Sequence, residues 1–158
     1  YKEYVNLIHP NKLNIQHYSE IPFLPIEFFR TKKIISKNKD AEIVFTMLPN
    51  SQHVNTALFE ENGAVESMNK GTIVIDMSTI HPFETDKIRK KLSLMGISMI
   101  DIPIGRTSVE AIQGKSLLMV GGEAKDIQKA TTILNLIGDT IQNCGGPGMG
   151  SRMKIVIN

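Results

Sequence analysis

The sequence predicts an α/β fold in which a mainly parallel, doubly wound sheet is covered by helices. From Ala41 onward, short apolar runs alternate with segments whose apolar residues recur at helical spacing, and this alternation is typical of βαβ units. The apolar runs are almost continuous, as expected of strands with both faces buried. We therefore expect five strands, at residues 42–48, 72–77, 98–104, 116–120 and 140–144.

Three helices are predicted between these strands from the spacing of their apolar residues. Pro82 suits the first turn of the second helix, because the N–H that it lacks has no partner there, and Gly96 is expected to end that helix. The three predicted apolar faces are Val54, Ala57 and Leu58; Ile88, Leu92 and Met95; and Ile127, Ala130, Leu134 and Ile137.

Composition and charge favour a globular protein without nucleic-acid or membrane partners. The chain is 41% hydrophobic and 22% charged, and its net charge of +2 is too small to indicate nucleic-acid binding. No apolar run approaches the ~20 residues of a membrane span, and residues 1–14 lack an apolar leader segment. We therefore expect a cytoplasmic protein. The single cysteine, Cys144, is expected to be a buried, inert thiol, and no metal site is expected.

The first forty residues do not follow the alternating pattern. They contain three prolines and no glycine. A dinucleotide-binding fold normally opens with a glycine-rich turn, because glycine lets the backbone approach the pyrophosphate closely at a helix N-terminus. Residues 1–40 therefore lack the feature that a complete fold of this kind requires.

Two short segments follow predicted strands at positions where doubly wound sheets bind ligands. Residues 46–50 have the sequence TMLPN, and residues 76–79 have the sequence DMST. Taken alone, the first is better explained as a strand that ends at a proline and a helix cap, and the second as a turn. Neither segment identifies a site without further observations.

The third strand end is more informative, because residues 101–108 place Arg106 beside Thr107 and Ser108. A guanidinium group offers a planar set of donors to a carboxylate, sulfonate or phosphate, and the two hydroxyls add neutral hydrogen bonds. The alternative is that Arg106 is an ordinary surface charge, as most loop arginines are. The segment is thus a candidate site for an anionic substrate.

A glycine-rich run at residues 145–150 leads into a segment that carries Lys154 and Asn158. A spacing of four places both side chains on one helical face, so they can address one substrate. An ammonium group near a carbonyl can donate a proton to the oxygen while hydride reaches the carbon, which is general-acid catalysis. The alternative is a solvent-exposed helical lysine.

In order and spacing, residues 41–158 resemble the β-hydroxyacid dehydrogenase family, whose members have a Rossmann-like dinucleotide-binding domain. The runs DIPIGRTS, at residues 101–108, and GGPGMG, at residues 145–150, are similar to the members that reduce sulfolactaldehyde. The resemblance implies an oxidoreductase acting on CH–OH groups that uses NAD, with NADP not excluded. It implies the reduction of a small anionic aldehyde, from sulfolactaldehyde to sulfolactate.

The resemblance also implies roles for individual residues. Lys154 would be the catalytic acid. Ile157 stands where the family usually has an asparagine, and this change removes a polar contact to the substrate. The remaining assignments are Leu48, Pro49 and Thr79 to the cofactor, and Arg106, Thr107, Ser108 and Asn158 to the substrate.

Three segments follow from the resemblance: an atypical segment at residues 1–40, the remainder of the NAD(P)-binding domain at 41–146, and the start of the catalytic inter-domain helix at 147–158. The family's helical second domain, which mediates dimerisation, would follow that helix. We therefore expect a fragment, with homo-oligomers formed only by the full-length protein. Two alternatives stay open: a 3-hydroxyisobutyrate or tartronate semialdehyde enzyme, and a non-catalytic remnant.

Overall fold

The computed structural model describes residues 41–157, which form a six-stranded sheet with helices packed around it. The predictions for residues 1–40 and for Asn158 lie outside the described residues. The strands are β1 (Ile43–Thr46), β2 (Ile73–Asp76), β3 (Ser98–Asp101), β4 (Ile104–Gly105), β5 (Leu117–Gly121) and β6 (Thr140–Gly145). The helices are α1 (Ser51–Phe59), α2 (Pro82–Leu94), α3 (Ser108–Ile112), α4 (Ala124–Ile137) and α5 (Met149–Ile157), with a 3₁₀ turn at Ala64–Ser67.

The sheet has the strand order β1-β2-β3-β5-β4, and β6, outside this order, also pairs with β5. Strands β1, β2 and β3 are parallel, and β5 is parallel to β6. Strand β5 is antiparallel to both β3 and β4. The prediction of a mainly parallel α/β sheet is therefore confirmed, with one reversal of strand direction that was not predicted.

One predicted strand is wrong, because residues 98–104 form two strands rather than one. Strand β3 ends at Asp101, and the chain resumes as β4 at Ile104, beyond Pro103. A proline has no N–H to give to a sheet, so it interrupts a central strand. The short β4 then pairs antiparallel with β5, with Ile104 opposite Leu118.

Helices cover both faces of the sheet, as predicted. Successive residues of a strand point to opposite faces, and β2 shows this directly. Ile75 belongs to an apolar cluster that includes Ile133 of α4, whereas Val74 belongs to a second cluster that includes Leu58 of α1 and Ile88 of α2. These buried side chains fix the sheet between two helical layers.

Two predictions about apolar side chains need correction. Met95 does not lie on the buried face of α2 but is 47% exposed, because the helix ends at Leu94 and the chain turns at Gly96 with a positive φ. Cys144 is only partly buried, although burial does raise the pKa of its thiol and so disfavours the reactive thiolate. None of the helices within residues 41–157 is long and apolar enough to cross a lipid bilayer.

Candidate active site

A row of buried polar side chains closes the three parallel strands at their carboxyl ends. Thr46 ends β1, Asp76 ends β2 and Asp101 ends β3, and the three residues are register partners. Each is at most 2% exposed. Ligands of doubly wound sheets bind outside this edge. The two aspartates were not among the predicted site residues, although a carboxylate at the end of each of two successive apolar strands is a signal in the sequence that could have identified them.

Asp76 joins the loops that follow β1 and β2. Its Oδ1 atom accepts hydrogen bonds from the Thr46 hydroxyl at 2.9 Å and from the Ser78 N–H at 3.1 Å. The Ser78 hydroxyl oxygen in turn accepts the Leu48 N–H at 2.9 Å. Burial raises the pKa of Asp76 to about 6, because the hydrogen bonds from Ser78 and Thr46 offset only part of the cost of burying the charge, and repulsion from Asp101 adds to that cost.

The three residues predicted to bind a cofactor lie in these two loops. The Leu48 side chain is buried in the cluster that packs against α1 and α2, so it is the Leu48 backbone that lines the loop. Pro49 and Thr79 are exposed next to the ends of β1 and β2. The structure therefore brings these loops together through the bond between Leu48 and Ser78.

Asp101 binds the first turn of α5. Its Oδ1 atom accepts the Gly148 N–H and its Oδ2 atom accepts the Ser151 N–H, each at 2.7 Å. Burial nevertheless raises the pKa of this carboxyl group, against the lowering effect of the Ser151 and Gly148 N–H groups. The end of β3 and the start of α5 thus form one hydrogen-bonded unit.

The glycine-rich run at residues 145–150, which leads into α5, is a closely packed turn. Gly145 and Gly148 have φ values of +113° and +82°, which residues other than glycine rarely adopt. A Cβ atom at Gly150 would collide with the carbonyl oxygen of Met119, and one at Gly121 would collide with the Gly150 backbone nitrogen. Glycine is needed here so that α5 can approach the sheet.

Lys154, the predicted catalytic acid, lies on α5 one turn beyond Gly150. Its side chain is half-buried, and within residues 41–157 no hydrogen bond or ion pair engages its ammonium group. The next three residues, Ile155, Val156 and Ile157, are exposed. The role of Lys154 as the catalytic acid stays a prediction.

Two of the three predicted anion-binding residues form hydrogen bonds with neighbouring side chains of the protein. Arg106, with φ +71°, donates to the Asp139 carboxylate at 2.7 Å and to the Thr140 hydroxyl at 2.9 Å. Thr107 donates both its N–H and its hydroxyl to Glu110, and Ser108 is exposed at the start of α3. Among the described residues, no hydrogen bond joins any of the three to Lys154, so their substrate role stays a prediction.

Comparison with known proteins identifies the family. The family model described as the NAD binding domain of 6-phosphogluconate dehydrogenase matches residues 18–146. Over 120 residues, the chain is 50% identical to the 3-sulfolactaldehyde reductase of Escherichia coli strain K12, a match that covers 76% of this chain and 40% of that protein. The chain belongs to the β-hydroxyacid dehydrogenase family.

Other members of the β-hydroxyacid dehydrogenase family match more weakly. The 2-hydroxy-3-oxopropionate reductase of Escherichia coli strain K12 is 31% identical over 115 residues, which cover 73% of this chain and 39% of that protein. A structure of Mycobacterium tuberculosis 3-hydroxyisobutyrate dehydrogenase with L-serine has a TM-score of 0.74 at 24% identity, covering 82% of this chain and 43% of that one. The latter likeness concerns the fold alone. The chain spans about 40% of the length of the curated relatives it matches.

An NAD-binding domain is thus shown, and the described residues fit part of such a cofactor. Pro49 and Thr79 offer an apolar surface and a hydroxyl at the edge where doubly wound sheets bind dinucleotides. The pyrophosphate requires close backbone approach, and residues 1–40 contain no glycine to provide it. Contact of Pro49 and Thr79 with a bound cofactor stays a prediction.

Proposed function

We propose that this chain serves the NAD-dependent reduction of a small anionic aldehyde, with 3-sulfolactaldehyde as the substrate. The observation that carries the proposal is the 50% identity to the Escherichia coli 3-sulfolactaldehyde reductase, against 31% to the 2-hydroxy-3-oxopropionate reductase of the same organism. The higher identity to the sulfolactaldehyde enzyme favours a sulfonated aldehyde as the substrate over a carboxylated one.

The chemistry is a two-electron reduction. NADH, when bound, would supply the hydride for the carbonyl carbon, and the Lys154 ammonium would donate a proton to the carbonyl oxygen. The aldehyde then becomes a primary alcohol, so the product is 2,3-dihydroxypropane-1-sulfonate. Sulfolactate, the product expected from the resemblance, is wrong by electron balance, because a carboxylate forms from an aldehyde only by oxidation.

Arg106 is the group proposed to hold the sulfonate. Its guanidinium has five N–H donors, and its described bonds to Lys115, Asp139 and Thr140 leave donors for an anion. A sulfonate bound beside Arg106 would share the guanidinium with the Asp139 carboxylate. Charge-assisted hydrogen bonds of this kind contribute about 1.5–3 kcal/mol each.

The test is a chimera in which the matched 120 residues of this chain replace those of the Escherichia coli 3-sulfolactaldehyde reductase. NADH oxidation is followed with 3-sulfolactaldehyde and, separately, with 2-hydroxy-3-oxopropionate. We expect the sulfonated aldehyde to give the higher kcat/KM and 2,3-dihydroxypropane-1-sulfonate to be the product. A chimera that folds but reduces neither aldehyde, or that prefers the carboxylated one, contradicts the proposal.

A second candidate is a domain that retains the sheet without catalysis. The absence of glycine from residues 1–40 and the apolar Ile157 favour it. Calorimetric titration of the 158-residue chain with NADH separates the candidates, since a chain without a pyrophosphate cradle should bind NADH weakly. Low-micromolar affinity would show that residues 1–40 supply the cradle by other means, and would count against the non-catalytic candidate.

A further inference from the structure

We propose that Asp101 is a positioning residue that fixes the first turn of α5, and with it the Lys154 ammonium group, against the carboxyl end of β3. The catalytic part of this proposal rests on the proposed function. The structural part concerns only the hydrogen bonds of one carboxylate and can be tested without activity.

The two carboxylate oxygens of Asp101 satisfy N–H groups that a helix leaves without internal partners. Gly148 precedes α5 and Ser151 lies in its first turn, and each donates its N–H to Asp101 at 2.7 Å. The first N–H groups of a helix carry the positive end of its dipole, so a carboxylate is well suited to this position. A short, doubled bond of this kind fixes both the height and the direction of the helix start.

Close packing by Gly121 and Gly150 holds the Asp101 carboxylate in this position. A Cβ atom at Gly121 would lie 2.7 Å from Asp101 Oδ1, and one at Gly150 would lie 3.1 Å from Asp101 Oδ2. Side chains are therefore absent at both places where they would displace the carboxylate or the helix. Asp101 is 2% exposed, so water does not compete for its bonds.

Two further contacts tie α5 to α2 instead of to the sheet. The Ser151 and Thr85 hydroxyls lie 3.0 Å apart, and Arg152 forms an ion pair with Asp86 at 2.7 Å. The ion pair is partly exposed, and pairs of this kind contribute little, about 0–1 kcal/mol. Asp101 is thus the described side chain that fixes α5 relative to the strand end itself.

Lys154 is close enough to this turn to move with it. It lies three residues beyond Ser151, which corresponds to a rise of roughly 4.5 Å along the helix. A misplacement of about 1 Å at a reacting group can lower the rate by about 10²-fold. Loss of the Asp101 bonds should therefore reduce turnover more than it reduces the affinity for NADH.

The structural test compares Asp101→Asn with Asp86→Asn in the 158-residue chain, by amide hydrogen exchange. The asparagine at 101 offers one acceptor in place of two, so we expect the Gly148 or the Ser151 amide to exchange at least tenfold faster. Asp86→Asn removes the exposed ion pair and should leave both amides protected. Unchanged exchange in Asp101→Asn overturns the proposal, as does equal loss in both variants.

Should Asp101→Asn fail to fold, the unmutated chain still provides a test. The carboxyl carbon of Asp101 and the amide protons of Gly148 and Ser151 should shift in NMR spectra with one common pH midpoint. Independent midpoints would overturn the proposal.

The catalytic test uses the chimera described above. Asp101→Asn should lower kcat ten- to a hundredfold while KM for NADH changes less than threefold, and Asp86→Asn should change neither by more than threefold. An equal loss in both variants, or a rise in KM for NADH with kcat intact, overturns the positioning role. An inactive parent chimera would contradict the proposed function. The hydrogen-exchange measurement would still decide whether Asp101 fixes the first turn of α5.

Discussion

Replacing Asp76 by asparagine should change how stability depends on pH, because this carboxyl group is almost fully buried. Raising its pKa from 3.8 to about 6 corresponds to about 3 kcal/mol of preference for the neutral acid in the folded protein. The stability that Asp76 contributes is therefore fully present below pH 3.8 and is lost as the pH rises through about 6. Asp76→Asn removes this dependence, since the amide does not titrate.

The assay is urea unfolding of both chains from pH 4 to pH 7.5. The free energy of unfolding of the unmutated chain, relative to Asp76→Asn, should fall by about 2–2.5 kcal/mol over this range, because a small part of the effect is already lost at pH 4. Asparagine also loses one acceptor for the Thr46 hydroxyl or the Ser78 N–H, but that loss does not vary with pH. Parallel stability curves for the two chains would refute the reasoning.

Asp139→Asn is the matched control, because its carboxylate is partly exposed and behaves oppositely. The Thr140 hydroxyl and the Arg106 guanidinium lower the pKa of Asp139. A lowered pKa means that the stabilising charge is lost as the pH falls. The unmutated chain should therefore lose stability relative to Asp139→Asn towards acid, the opposite direction from the comparison with Asp76→Asn.

Two further substitutions test the packing of α5 and the anion site. Gly121→Ala should destabilise the chain by about 1–3 kcal/mol, because the added methyl group would collide with the Gly150 nitrogen and the Asp101 carboxylate. Urea unfolding measures this change in the free energy of unfolding. An unchanged free energy of unfolding would mean that α5 packs less closely against the sheet. Arg106→Ala in the chimera should weaken binding of the sulfonated aldehyde by about 1.5–3 kcal/mol; an unchanged KM for that substrate would remove Arg106 from the site.

Much of the sheet was predictable because its strands are short apolar runs. The structure finds β1, β2, β5 and β6 within two residues of the predicted ends. The split of β3 from β4 was readable too, since Pro103 cannot donate to a sheet. Helix α3 also had a sequence signal, because Thr107 is followed three residues later by Glu110, the spacing of a capping box.

The site was less predictable, because its contacts depend on which strands become neighbours. Asp76 and Asp101 are adjacent only through the register of β2 and β3, and Asp101 reaches Ser151 across fifty positions of sequence. The pairing of Arg106 with Asp139 spans 33 positions and likewise has no local signal. Lys154 was singled out because its helical spacing and the glycines before it are local features.

The most direct test of the proposed function is the turnover number of Lys154→Ala in the chimera, with Lys129→Ala as the control. Lys129 is an exposed lysine on α4, so the control makes the same chemical change away from the strand ends. General-acid catalysis contributes about 10²–10⁴-fold, and we expect Lys154→Ala to lose that much kcat with NADH affinity unchanged, while Lys129→Ala retains full turnover. Equal turnover of the two variants would contradict the assignment of Lys154 as the proton donor.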